Sequence, residues 1–325
     1  MTDLAEPIGE AWMTGGESRF ANGPFAGQRL IDAWPAMPPE WTGASARAES
    51  LSADFPLLVK FIFAEEKLSV QVHPGDEYAA EQEAAAGGRG KTEMWYAVRA
   101  RPGAEVLVGL KPRVTRKSFE RAIAEAAAEE CLKHVSMRTG DAIFVPAGTA
   151  HTIGPGLVLC EIQQHSDLTY RVYDYNRRDA EGRTRPLHIE KALAVMRFGK
   201  QEGGKIKPVR IERGGLKRTY LAACRYFATE KWEFSSLVPA ESGRGRFELL
   251  IFIEGHGTIR WGSDPVEYGP AQVWLIPAAL DGCDLVPELR TSMLRTYVPD
   301  DMKEISRELA EQGIEEAARA RLLHL

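Results

Sequence analysis

From Lys67 to His73 the chain alternates, with Leu68, Val70 and Val72 on one side and Ser69, Gln71 and His73 on the other. Side chains two apart on a strand share a face. The run therefore predicts a strand with one apolar face and one polar face that presents Gln71 and His73 together. Pro74-Gly75-Asp76 ends it. A second strand-like run, Met94-Trp95-Tyr96-Ala97-Val98, follows Glu93. Gly140-Asp141 reads as a turn, Ala142 to Val145 as a short apolar strand, and Pro146-Ala147-Gly148 as a tight corner that delivers His151. Three separate strands thus converge on one point with two histidines and a carboxylate. Two neutral imidazoles and a carboxylate can hold a divalent metal and leave positions open for water or substrate.

Strand patterning covers residues 55–112 and 134–175. Between them Phe119, Ala122, Ile123 and Ala126 recur at helical spacing behind Thr115, an N-cap residue, and predict a helical insertion near 115–133. Leu187 to Phe198 reads as another short helix, and Asp76, Glu77 and Glu81–Glu83 as a helix surface. Residues 1–50, rich in Gly, Pro, Ala and Trp, read as loops and short strands packed on the first barrel. The polar, glycine-rich run Gly199 to Lys205 is a linker. Beyond it, strands recur through Thr219–Cys224, Tyr226–Phe234, Phe247–Glu254, Gly257–Trp261 and Gln272–Pro277. Gly269, with Ile276-Pro277-Ala278, echoes Gly140 with Val145-Pro146-Ala147, but no histidine follows it. A charged helix from about Asp301 to Leu323 closes the chain and docks through Ile305, Leu309 and Leu322.

The block from Gly140 to His151 fits G-x5-P-x-G-x2-H at every fixed position and resembles the second half of the cupin signature. The expected fold is mainly β: two cupin-like antiparallel β-barrels of the jelly-roll type, with a few inserted and terminal helices. Residues 1–198 form the expected metal-binding barrel. Residues 206–325 form the expected degenerate, metal-free barrel with a C-terminal helix.

Bulk properties narrow the function. The length of 325 residues suits two domains, and 44% hydrophobic with 27% charged residues suits a soluble globular protein. A net charge of −5 gives nucleic acid no basic face. Neither a basic-then-apolar amino terminus nor an apolar run long enough to cross a bilayer is visible, so no membrane role is expected. Cys131, Cys160, Cys224 and Cys283 form no C-x-x-C pair and read as buried thiols of a cytoplasmic protein.

A His-Glu-His set does not choose its own chemistry: iron would suit an oxygenase, zinc a Lewis-acid isomerase or hydrolase. The neighbours narrow it. Gln71 can add a neutral oxygen ligand, Lys91 shares the extended face of Glu93, and the segment from Glu161 to Arg171 adds Asp167 and Arg171. A metal, a lysine, an arginine and a carboxylate in one cavity suit an anionic, oxygen-rich substrate.

These residues carry a closer resemblance. Phe55 to Phe61, Leu68 to Pro74, Gly90 to Tyr96, Gly140 to His151 and Ser166 to Asp174 together are similar to the type I mannose-6-phosphate isomerases, in their short bacterial form. The resemblance implies interconversion of mannose 6-phosphate and fructose 6-phosphate through a cis-enediol. It implies one Zn2+ per chain on His73, Glu93 and His151, with Gln71 as an additional ligand, and Arg171 as the catalytic arginine. Lys91 and Asp167 are candidates for proton transfer, and Lys91 and Arg171 for substrate binding. The implied partner is a phosphosugar, with the chain a monomer or homodimer. Two readings stand beside it: an iron oxygenase on the same triad, and a non-catalytic phosphosugar-binding regulator.

Overall fold

Val70 and Val72 are fully buried in one apolar cluster with Leu107, Phe119, Tyr170 and Ala192. That burial turns Ser69, Gln71 and His73 to the opposite face, as the alternation predicts. The computed structural model describes residues 8–43, 54–179, 181–199, 202–241, 245–262 and 265–324. Positions 1–7 and 44–50 of the expected amino-terminal loops, and 200 and 201 of the expected linker, lie outside the described residues.

The chain divides into two units, Met1–Met13 with Leu58–Lys205, and Thr14–Leu57 with Ile206–Leu325. Residues 14–57 thus group with the second unit and not with the first barrel. The reason is aromatic: Trp34 meets Phe55 at 4.8 Å and Phe247 at 5.4 Å between ring centroids, and Gly43 bridges to Arg246.

The first unit carries β1 (Glu10–Trp12), β2 (Leu57–Ala64), β3 (Val70–Val72), β4 (Glu93–Ala100), β5 (Glu105–Leu110) and β6 (Leu132–Ser136). It continues with β7 (Ala142–Val145), β8 (His151–Ile153), β9 (Leu157–Gln164), β10 (Tyr170–Tyr173) and β11 (Gly204–Lys205). These make two antiparallel sheets, ordered β1-β2-β9-β4-β7-β11 and β10-β3-β8-β5-β6. Ile62, Trp95, Val106, Ile143, Ile153 and Leu159, drawn from both sheets, share one buried core. The outer face of the second sheet is covered by the helices Arg116–Ala124 and Ile189–Val195.

The inserted helix is shorter than its pattern suggested. Thr115 caps it reciprocally with Ser118, but Ala126 turns to positive φ. From Leu132 the chain is already strand, because Leu132 pairs with Leu110 and is wholly buried.

The second unit carries β12 (Val209–Arg213), β13 (Leu216–Cys224), β14 (Ala228–Phe234), β15 (Val238–Glu241), β16 (Glu248–Glu254) and β17 (Gly257–Arg260). It continues with β18 (Val266–Tyr268), β19 (Val273–Ile276), β20 (Gly282–Pro287), β21 (Thr291–Tyr297) and β22 (Leu323–His324). One sheet runs β12-β13-β14-β21-β16-β19, and the other β15-β20-β17-β18. The pairing order of β14 to β21 repeats that of β2 to β9 strand for strand. The chain therefore contains one eight-stranded jelly roll twice. The closing helix is two helices, Met302–Glu311 and Glu316–Leu322, parted at Gly313 in the left-handed region. Ile305, Leu309 and Leu322 are buried against Tyr220 and Tyr297.

Candidate metal centre

His73 follows β3, Glu93 opens β4 and His151 opens β8. The backbone at the corner explains how two of them meet. Gly148 N donates to His73 O at 2.8 Å, and Gly148 has φ +81°. A Cβ there would stand 2.8 Å from Val195 O, so only glycine fits the corner that aims His151 inward.

Each imidazole sets its Nδ1 against a backbone carbonyl, His73 on Leu168 O at 2.7 Å and His151 on Thr149 O at 2.9 Å. A carbonyl only accepts, so both Nδ1 atoms carry the proton and both Nε2 atoms present a lone pair. His73 Nε2 lies 3.6 Å from Glu93 Oε2, and His151 Nε2 lies 3.4 Å from Glu93 Oε1. One donor atom from each residue falls within 4.8 Å of the others, all buried. His73 Nε2 and Glu93 Oε1 are buried without a hydrogen-bond partner, while Glu93 Oε2 has the Lys91 ammonium at 3.1 Å. Left so, each costs about 1–3 kcal/mol or more; a cation among them removes that cost. Two imidazole nitrogens and a carboxylate are the three-ligand set of a transition-metal site with an open position. The residues fit a metal.

Burial keeps these imidazoles neutral. Desolvation, with repulsion from Lys91 and the neighbouring imidazole, pushes His73 well below 6.5. Desolvation, with repulsion from Lys91, takes His151 to about 4. Burial also raises the Glu93 carboxyl, against the pull of Lys91.

Gln71 is paired with His151 across β3 and β8, and its Nε2 is 3.3 Å from His151 Nε2. A half-turn of the amide puts its carbonyl oxygen there instead, the orientation a ligand needs.

Lys91 is buried, with Nζ 3.1 Å from Glu93 Oε2 and 3.6 Å from Glu161 Oε1. Burial opposes its charge, but Glu161 and Glu93 outweigh burial, and the net shift is upward. Arg171 sits opposite Gln71 on β10, with Nε donating to Ser69 Oγ at 3.1 Å and Nη1 to Pro186 O at 3.3 Å. Asp167 is more exposed, and its Oδ1 lies 3.3 Å from Lys60 Nζ.

Two residues at this site escaped the sequence reading. Lys60 is buried on the face of β2 shared with Ile62 and Ala64, with Nζ 4.0 Å from the Trp12 ring centroid and 3.7 Å from Glu10 Oε2. Its signal is a lysine inside the apolar run Leu57-Leu58-Val59-Lys60-Phe61-Ile62-Phe63. Glu161 is buried on β9 opposite Trp95, whose Nε1 donates to its Oε2 at 3.0 Å. Its signal is the period-two pair of Glu161 and Gln163 after the apolar run Leu157-Val158-Leu159-Cys160.

Comparison with known proteins gives the chain a family. Residues 2–99, which include Gln71, His73, Lys91 and Glu93, match the family model "Phosphomannose isomerase type I, catalytic domain". A mannose-6-phosphate isomerase of Streptococcus mutans is 36% identical over 262 residues, 79% of each chain. The mannose-6-phosphate isomerase ManA of Bacillus subtilis is 35% identical over 282 residues, 85% of each chain. A crystal structure of the Bacillus subtilis mannose 6-phosphate isomerase superposes with TM-score 0.79 at 29% identity, covering 89% of both chains. A zinc-bound mannose 6-phosphate isomerase shares the fold at TM-score 0.70 and 16% identity, over 90% of this chain and 91% of that one. The chain belongs to the type I mannose-6-phosphate isomerase family.

Proposed function

We propose that the chain interconverts mannose 6-phosphate and fructose 6-phosphate, with one zinc ion on His73, Glu93, His151 and Gln71. The observation that carries this is the convergence of two buried imidazole nitrogens and a buried carboxylate, their donor atoms within 4.8 Å of one another, beside a buried lysine and an arginine. When bound, the metal polarises the sugar oxygens and stabilises negative charge on them. A zinc-bound relative of the same fold supports the choice of ion.

The reaction moves a proton from C2 to C1 and another between O1 and O2. It needs a base, a proton donor and fixed positive charge. Asp167, exposed at the rim and held by Lys60, is the carboxylate open to a substrate proton. Lys91, an ammonium between Glu93 and Glu161, donates to a sugar oxygen and holds charge. Arg171, on the strand position opposite Gln71, places a guanidinium where the enediol oxygens carry charge. Arg185 raises the positive potential around Arg171 but is itself paired with Asp174.

Mannose 6-phosphate tritiated at C2 tests the route. An enediol path releases part of the label to water and carries part to C1. Turnover with complete retention of label would instead indicate a hydride shift and contradict these proton-transfer roles. The four free thiols suit a reducing cytosol.

A further inference from the structure

The repeated jelly roll lets each inward position of the second unit be matched to one in the first. On β4, Glu93, Trp95 and Ala97 share a face, with Glu93 opposite Val145. On β16, Glu248, Leu250 and Phe252 share a face, with Glu248 opposite Ile276. Val145-Pro146-Ala147 and Ile276-Pro277-Ala278 are the same corner. Glu248 therefore holds the place of Glu93, and Arg246 precedes it by two residues as Lys91 precedes Glu93. Trp95 pairs with Glu161, and Leu250 pairs with Arg295. On β8 and β20, Ile153 and Leu285 are core residues paired with Val106 and Ile259. That register puts Cys283 where His151 stands. It puts Ala240, opposite Cys283, where Gln71 stands opposite His151.

The second unit has thus kept the ligand carboxylate and lost an imidazole and an amide. What faces Glu248 is Arg295. Its Nε donates to Glu248 Oε2 at 2.7 Å and its Nη2 to Oε1, a two-pronged pair in a buried setting. Trp232 and Tyr297 lie 5.0 and 5.6 Å from the guanidinium, which fixes it further. In the first unit several acceptors converge and call for a multivalent cation. Here Glu248 is the carboxylate kept at the matched positions, one guanidinium fork satisfies both its oxygens, and the buried Glu230 opposite Arg295 on β14 adds to the hold on that guanidinium.

We infer that Arg295 stands in the second unit for the metal ion that the first unit is built to hold, the cation of a converted metal cavity. This rests on the metal reading of the first unit. The Cys283 thiol is buried and pushed up to about 12, by burial and then by Glu248. Cys283 keeps its proton because burial and Glu248 outweigh the opposing pull of Arg295. Removing the guanidinium leaves Glu248 buried and unpaired beside that thiol, and a divalent ion can then bind both, releasing the thiol proton to solvent.

Cobalt(II) is the probe, because thiolate coordination gives it a charge-transfer absorption that oxygen and imidazole ligands do not. Wild type, Arg295→Ala and Arg295→His are each titrated with cobalt as full chains and assayed for bound metal. The expected result is a second equivalent with a sulfur-to-cobalt band in either variant, no such band in wild type, and its loss when Cys283→Ala is added. The inference is overturned if neither variant takes more cobalt than wild type or shows the band, including the case in which both stay unfolded in cobalt. Wild type binding no cobalt would sink the metal reading of the first unit alone; the difference between variant and wild type still decides the second.

Discussion

His73 donates from Nδ1 to the carbonyl of Leu168 at 2.7 Å, and this contact fixes which ring nitrogen faces Glu93. His151 is held in the same tautomer by Thr149, so both candidate ligands are oriented by main chain. Leu168 lies three residues before Arg171, and one short segment therefore supports the first histidine and delivers the arginine.

The neutral state of these rings makes metal-free stability depend on pH. Below their ordinary value of 6.5 the imidazoles gain protons in the unfolded chain, while in the fold His151 stays neutral down to about 4. At these rings the unfolded state binds more protons in that window, so their contribution to stability falls as pH drops, against the opposite contribution of the burial-raised Glu93 and Glu161 carboxyls. His151 alone corresponds to about 3 kcal/mol, at about 1.4 kcal/mol per pH unit. Thermal unfolding of chelator-treated protein should show a Tm that changes less favourably toward pH 4 in wild type than in His151→Gln. Equal slopes in the two proteins would contradict the assignment.

Removing a ligand and removing a charge should separate. His151→Ala is expected to lose both zinc and turnover. Arg171→Ala is expected to keep zinc while kcat falls about 10²–10³-fold. Metal analysis beside steady-state rates reads the difference, and equal metal loss in both variants would refute the assigned roles.

Gly90 positions Lys91. A Cβ there would stand 2.4 Å from Asp76 Oδ1 and 2.6 Å from Asp76 N, at the start of the helix Asp76–Gln82. Gly90→Ala should lower stability by about 1–3 kcal/mol and reduce kcat with zinc retained. Wild-type kcat in the variant would show that the loop does not place the lysine.

The second unit should contribute stability without touching turnover. Leu309 is buried in the cluster that docks the carboxyl-terminal helices. Leu309→Ala should cost about 2–5 kcal/mol in denaturant unfolding and leave kcat at wild-type level below the transition. A matching fall in kcat under those conditions would tie this unit to the chemistry.

The convergence of His73, Glu93 and His151 was legible because period-two alternation and a glycine-proline corner are local features. The segment from Lys67 to His73 states its own facing, and Gly148 its own turn. Lys60 and Glu161 were missed because each is set among residues that read as core, and only cross-strand pairing gives it a partner. The grouping of residues 14–57 was hidden for the same reason: Trp34, Phe55 and Phe247 are far apart in the chain. The long closing helix failed locally, at Gly313, where left-handed backbone outweighs the helical pattern on either side.

The central claim is tested most directly by stripping the protein with chelator, restoring zinc or iron separately, and following mannose 6-phosphate to fructose 6-phosphate. The account predicts turnover restored by zinc. Zinc bound at one equivalent with no conversion would contradict it.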